Sequence, residues 1–213
     1  ALPIYALQRW GSEYWQEFAN EKIVVPAITD AVNYAPDAEG YYSNDKTSII
    51  IPPSVPYVLA ILNSQVSWWV TRQTFASKQG GFYEFKPMYV SQLCIPNASS
   101  QQRQIIEQVA NYLIWLKRPN ISSVPVVENY LEQLLNGLVY ELFFPEELHS
   151  QRLFLFSQAE KTKLPDIGKL AKPKRLAVIQ ETVERISDLN HPIRSCLFSL
   201  RSLEAVRLIE SET

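Results

Sequence analysis

Cysteine is scarce in this 213-residue chain: only Cys94 and Cys196 carry thiols, at a separation that suggests neither a disulfide framework nor a zinc site. Both thiols are therefore expected to be reduced, as in a prokaryotic cytoplasm. Glycine is limited to six positions, and none of them builds a phosphate-binding loop. The sequence also lacks the GxSxG and HExxH patterns, and its two histidines, His149 and His191, stand apart from any nucleophile or ligand. Each reads as a surface or helix-end residue. No apolar run approaches the roughly 20 residues of a membrane span, and no basic-then-apolar leader is visible, so the expectation is a protein without a membrane partner. The opening at Ala1, running straight into patterned sequence, is that expected of a piece of a longer polypeptide.

What is present is the composition of a folded protein. Hydrophobic residues make up 46% and charged residues 20%, with five Trp, eleven Tyr and nine Phe. Charge is unevenly spread: residues 1–148 hold nine basic and fourteen acidic side chains, residues 149–213 eleven and eight. The stretch Lys161 to Arg175, KTKLPDIGKLAKPKR, is densest in cations, and its two prolines and one glycine predict a linker or loop between helices.

Periodicity assigns strands and helices to the first half. Trp10, Tyr14 and Phe18, with Trp15 beside them, fall at helical spacing, and the β-branched runs Lys22 to Ile28 and Thr47 to Ile51 predict strands separated by turn formers at Asn33 to Gly40 and Asn44-Asp45. Ser54 can cap a helix whose apolar face carries Leu59, Leu62, Val66 and Trp69, bent at Asn63-Ser64. Met88 to Ile95 predicts a further strand. The second half reads as helical. Ser99 and Gln102 form a capping box ahead of Ile105, Val109, Leu113 and Leu116, and a partner carries Val127, Leu131, Leu134, Leu138 and Leu142. Two more apolar stripes, from Leu176 to Ile186 and from Ile193 to Leu203, predict a second helical hairpin.

Two patterns bear on chemistry. Pro36-Asp37 followed by Glu84-Phe85-Lys86 spells the PD and ExK elements of metal-dependent nucleases, in which carboxylates hold Mg²⁺ and lysine helps activate water; the long spacing and the turn around Asp37 weigh against it. The second pattern interleaves Phe75, Phe82, Tyr83, Phe85 and Tyr89 with Arg72, Lys78, Gln79 and Lys86, around Gly80-Gly81. Arg or Lys can bond guanine, Gln can bond adenine, and paired glycines let backbone approach phosphate closely. The alternative is a core of aromatics rimmed by solvated charge.

The segments KIVVPAI (22–28), GYYSNDKTSIII (40–51), YVLAILNSQVSWWV (57–70) and SKQGGFYEFKPMYVSQLCIP (77–96) together resemble the TaqI-like C-terminal specificity domain of Eco57I-like and type IIG restriction-modification enzymes. QIIEQVANYLIWLKR (104–118) and YLEQLLNGLVYELFFPEEL (130–148) are similar to the helices that follow it. The resemblance implies an α+β target-recognition domain followed by helical hairpins. The resemblance extends over about residues 4–150; the whole chain is expected to divide into 1–98 for recognition, 99–150 for a hairpin packed on it, and, outside the resemblance, 151–213 for the basic linker and final hairpin. The resemblance implies double-stranded DNA as partner and an upstream methyltransferase domain of the same polypeptide, acting on adenine N6. S-adenosylmethionine, with Mg²⁺ a further candidate, would serve that parent enzyme, whereas this chain has no NPPY motif or cofactor loop and is expected to hold no cofactor, metal or catalytic residue. Arg72, Lys78, Gln79, Gly80, Gly81, Tyr83 and Lys86 are the expected DNA-contact residues, and Lys169, Lys172, Lys174 and Arg175 the expected phosphate contacts. Relatives often place a basic residue directly before the glycine pair, where this chain has Gln79. The net charge of −2 argues against a free-standing binder relying on phosphate contacts. A nuclease and a helical protein-interaction module with a basic tail remain the alternatives.

Overall fold

A computed structural model describes residues 15–44 and 46–211. Trp10 and Tyr14 of the first expected helix, and Asp45 of the expected turn, lie outside the described residues. Trp15–Ala19 form a 3₁₀ turn. The fold is α+β, with short antiparallel sheets at one end and helices throughout the rest.

The β-branched run at Lys22 forms strand β1 (Lys22–Pro26), which is central in a three-stranded antiparallel sheet between β3 (Ala35–Asp37) and β4 (Thr47–Ile50). Ile23 lies opposite Pro36 on one side and Ile50 on the other. Strand β3 falls within the stretch expected to be only a turn, because β1 supplies a pairing partner that Ala35-Pro36-Asp37 does not announce by propensity. A second sheet pairs β2 (Ile28–Thr29) with β5 (Tyr83–Glu84).

Helix α1 (Val55–Leu62) starts where Ser54 Oγ accepts from Tyr57 N–H, with Pro56 in the first turn. The predicted bend at Asn63-Ser64 is a full break. Ser64 caps α2 (Gln65–Thr74), and the Asn63 amide accepts from Tyr34 N–H and donates to Tyr34 C=O, latching the break to the loop before β3. Met88 to Ile95 is not a strand. Pro87, which has no N–H for a ladder, instead opens the short helix α3 (Pro87–Val90).

The capping box forms as expected: Ser99 Oγ accepts from Gln102 N–H while the Gln102 side chain accepts from Ser99 N–H, starting α4 (Ser100–Leu116). Helix α5 (Pro125–Phe143) packs along α4. Beyond it lie α6 (Pro145–Ser150), α7 (Leu155–Thr162), α8 (Lys172–Ile186), α9 (Pro192–Leu200) and α10 (Glu204–Ser211). The final apolar stripe is therefore divided after Leu200, and α10 adds a helix that the periodicity did not separate.

Two cores result, and α1 serves both. Its Tyr57, Ala60 and Ile61 join a large cluster that runs unbroken through α4, α5 and α7–α10 to Ile209, past the expected boundary at 150. Its Val55, Leu59 and Leu62 join a smaller cluster with Ile23, Val25, Tyr34, Phe75 and Phe85. A fully buried Leu or Ile contributes about 1.5–3 kcal/mol, so burying both faces of one short helix couples the two ends firmly.

Candidate nucleic-acid interface

The glycine pair turns a hairpin. Lys78 N–H donates to Phe82 C=O at 2.7 Å, Glu84 N–H donates to Ala76 C=O at 2.9 Å, and Ser77 bridges Tyr83. Gly80 and Gly81 have φ of 83° and 82°, the left-handed region that other residues resist. A Cβ on Gly81 would meet nothing within 4 Å, so glycine is required there for the backbone and not for space. The tip is solvent-facing: Lys78, Gln79, Gly80, Gly81 and Phe82 are all exposed.

The base of the hairpin is rigid. Phe85 is buried, edge-on to both Tyr34 and Phe75, and its N–H donates to Ala27 C=O. Tyr83 is half-buried with its ring edge-on to Trp68 of α2 at 5.5 Å. Between them, Glu84 lies 3.1 Å from Lys86 Nζ and 3.4 Å from Lys78 Nζ. The hydrogen bond from Lys86 is the main reason its carboxyl stays below the usual carboxylate range; desolvation, next in size, opposes it, and the charges of Lys78 and Lys86 assist.

The other expected residues go elsewhere. Arg72 is half-buried and bound to the chain itself: its guanidinium lies over the Trp68 ring and donates to Ile209 C=O of α10 at 3.4 Å, while its Nε has no partner. Residues 161–175 are not a loose linker. Leu164 and Ile167 enter the large core, Tyr112 Oη donates to Pro165 C=O, and a 3₁₀ turn spans Ile167–Lys169. Arg175 caps its own surroundings by donating to Leu170 and Gly168 carbonyls, and Lys169 faces Asp166 at 3.3 Å, whereas Lys172 and Lys174 are exposed in the first turn of α8.

The PD and ExK elements fall in different sheets. Asp37 is buried, 2.6 Å from the enclosed ammonium of Lys22, and accepts from the N–H groups of Glu39, Gly40 and Tyr41. Burial alone would raise its carboxyl, but the Lys22 hydrogen bond and charge, with the Glu39 and Tyr41 amides, outweigh burial and lower it. The carboxylate is thus filled by structural partners, and among the described residues no three His, Cys, Asp or Glu side chains are grouped to hold a metal. Sequence reading missed the loop these contacts support, where Tyr41 and Tyr42 are among the most exposed aromatics described; adjacent tyrosines among turn formers, outside any apolar periodicity, were the available signal.

Fold and site together define a small α+β module that displays a glycine-turned hairpin from a braced aromatic base, with a helical extension behind it. Residues 5–95 match the TaqI-like C-terminal specificity domain, so the resemblance carried by the four segments is met over that span. The match ends at Ile95, ahead of α4, and the helices at 104–118 and 130–148 stand outside it. No curated protein matches the chain. No described helix is long and apolar enough to cross a membrane.

Proposed function

We propose that this chain is the DNA-reading part of a restriction-modification enzyme, non-catalytic by itself, and that it acts in the prokaryotic cytoplasm beside an adenine-N6 methyltransferase domain of the same polypeptide. S-adenosylmethionine would then be bound by that domain, and Mg²⁺ by an accompanying nuclease. The observation that carries the reading is the exposed hairpin tip at Lys78–Phe82, projecting from a span that matches a specificity domain. Gln79 has an amide able to bond adenine bidentately, and Lys78 can reach guanine or phosphate. Lys86 stands at the hairpin base as a phosphate contact. Lys172 and Lys174 add a second, sequence-independent contact, with Lys169 beside them. Arg72 and Tyr83 support the hairpin through Trp68 more than they reach outward.

Selection of duplexes from a random pool by the chain at low salt tests this directly. An enriched motif is expected. Gln79→Ala should relax preference at one position, at a discrimination loss of about 1–3 kcal/mol, while Lys86→Ala should weaken all sequences alike. Absence of any enrichment at about 50 mM salt, where phosphate contacts are strong, would overturn the reading.

A further inference from the structure

The Lys22–Asp37 pair has no evident role in chemistry, and burying two charges seldom adds net stability. Its geometry instead concerns one loop. Lys22 is 0% exposed, and its ammonium donates to Phe18 C=O at 2.7 Å as well as to Asp37. The Asp37 carboxylate then fixes the next turn through three backbone amides, at 2.8, 3.2 and 3.0 Å from Glu39, Gly40 and Tyr41. Gly40, at φ 79°, lets the chain turn where another residue would be strained. Directly beyond the turn, Tyr41 and Tyr42 are 66% and 69% exposed. Each ring has a contact: Tyr41 Oη donates to Glu39 at 2.6 Å, and the Tyr42 ring leans on Phe18 at 5.2 Å between centroids. With two side-chain torsions each, exposed tyrosines bind with little loss of conformational entropy.

The far end of this loop lies in line with the hairpin. Ala27 N–H donates to Lys46 C=O at 2.9 Å and Phe85 N–H to Ala27 C=O at 2.8 Å, so residues 46, 27 and 85 lie side by side, about 5 Å apart at each step. The residue after Ala27, exposed Ile28, pairs with Glu84 of the hairpin. From Glu39 to Lys46 the loop has two acidic residues and one basic, a balance unsuited to holding phosphate.

We infer that Tyr41 and Tyr42 form a second nucleic-acid contact at the Lys22 end of β1, apart from the hairpin that meets the Ala27 end, stacking on the face of an unpaired base, and that the Lys22–Asp37 pair is the positioning device that presents them. The inference rests on the DNA-reading function proposed above and adds the kind of nucleotide engaged. Stacking is indifferent to counterion release, so its loss should lower affinity without changing the salt slope, unlike the loss of a phosphate contact.

Fluorescence anisotropy of the chain with a duplex bearing one unpaired adenine, and with the same duplex fully paired, tests this across a salt series. The bulged duplex should bind more tightly. Tyr41→Ala and Tyr42→Ala should each reduce that binding about tenfold, within the range known for base–aromatic stacking, leave the salt slope unchanged, and be rescued by Trp at the same position. Both rings lie on the surface, and unchanged circular dichroism spectra would show that the variants fold. If hairpin variants weaken binding while the tyrosine variants bind both duplexes as the wild type does, this inference is overturned and the DNA-reading function stands. If the wild type binds neither duplex, the function itself falls, and with it the role given to the tyrosines.

Discussion

The two cores are held together by different means. Of the eight polar or charged residues buried among the described ones, three, Lys22, Thr29 and Asp37, lie in the strands, three, Ser64, Ser67 and Thr71, at the cap and along α2, and two, Glu141 and Thr182, in the later helices. The helical part is filled mainly by leucine and isoleucine from α4, α5 and α7–α10. The sheet end has a smaller apolar cluster and places its loops through an ion pair, an asparagine latch and serine caps. Apolar packing is non-directional and tolerates sliding, whereas a filled carboxylate fixes particular backbone atoms. A surface that must hold a defined shape gains from the second kind of contact, and a supporting bundle can rely on the first.

Asp37→Ala should show the largest effect, because it strands the enclosed Lys22 ammonium. Breaking a buried pair by removing one partner costs about 3–5 kcal/mol, readable as a shifted urea midpoint. Since α1 has a face in each core, both ends should still unfold in one transition; two separated transitions would break the coupling assigned to α1. The pair also sets an acid limit. Asp37 titrates lower in the folded protein than its ordinary value, so its contribution is present above the unfolded carboxyl range near pH 4 and is lost as pH falls through the lower folded value. Acid titration should therefore erode wild-type stability below about pH 4, and a Lys22→Met, Asp37→Leu double variant should lose that part of the dependence.

In the helical core the corresponding weak point is steric. A Cβ on Gly137 of α5 would lie 2.8, 2.9 and 3.1 Å from side-chain atoms of Leu197, Leu155 and Leu200. Gly137→Val should destabilise by about 1–3 kcal/mol through overpacking, a smaller loss than that of Asp37→Ala, measured by the same denaturation. An equal or larger loss would mean that the bundle is as shape-critical as the sheet end. Ser99→Ala is the mildest change. It removes one half of the α4 capping box on an exposed helix start and should cost about 1 kcal/mol, seen as a shift of a few degrees in the melting temperature.

Much of the local structure was legible. The runs at 22–28 and 47–51 became strands, the Ser99/Gln102 box formed, and the weak point at Asn63-Ser64 became a helix break. Met88 to Ile95 misled because its apolar residues suited a strand, while Pro87 just ahead removed the ladder donor and favoured a helix start. The basic stretch at 161–175 was rich in breakers, yet Leu164 and Ile167 had cores to enter that no local pattern reveals. Arg72 looked outward in the sequence, and only the return of α10 supplied Ile209 C=O as its partner.

By itself the sequence determined where helices begin, which runs extend, where a glycine pair must turn, and the family pattern from KIVVPAI to SKQGGFYEFKPMYVSQLCIP. These follow from φ preferences, hydrogen bonds and apolar spacing that act over a few neighbouring residues. The tertiary structure alone decided that Lys22 and Asp37 form a buried clamp, that α1 has two buried faces, and which charges remain at the surface. Whether a charge is enclosed, paired or free depends on segments brought together from distant parts of the chain, since desolvation and pairing are set by the final surroundings of the group and not by its neighbours in sequence.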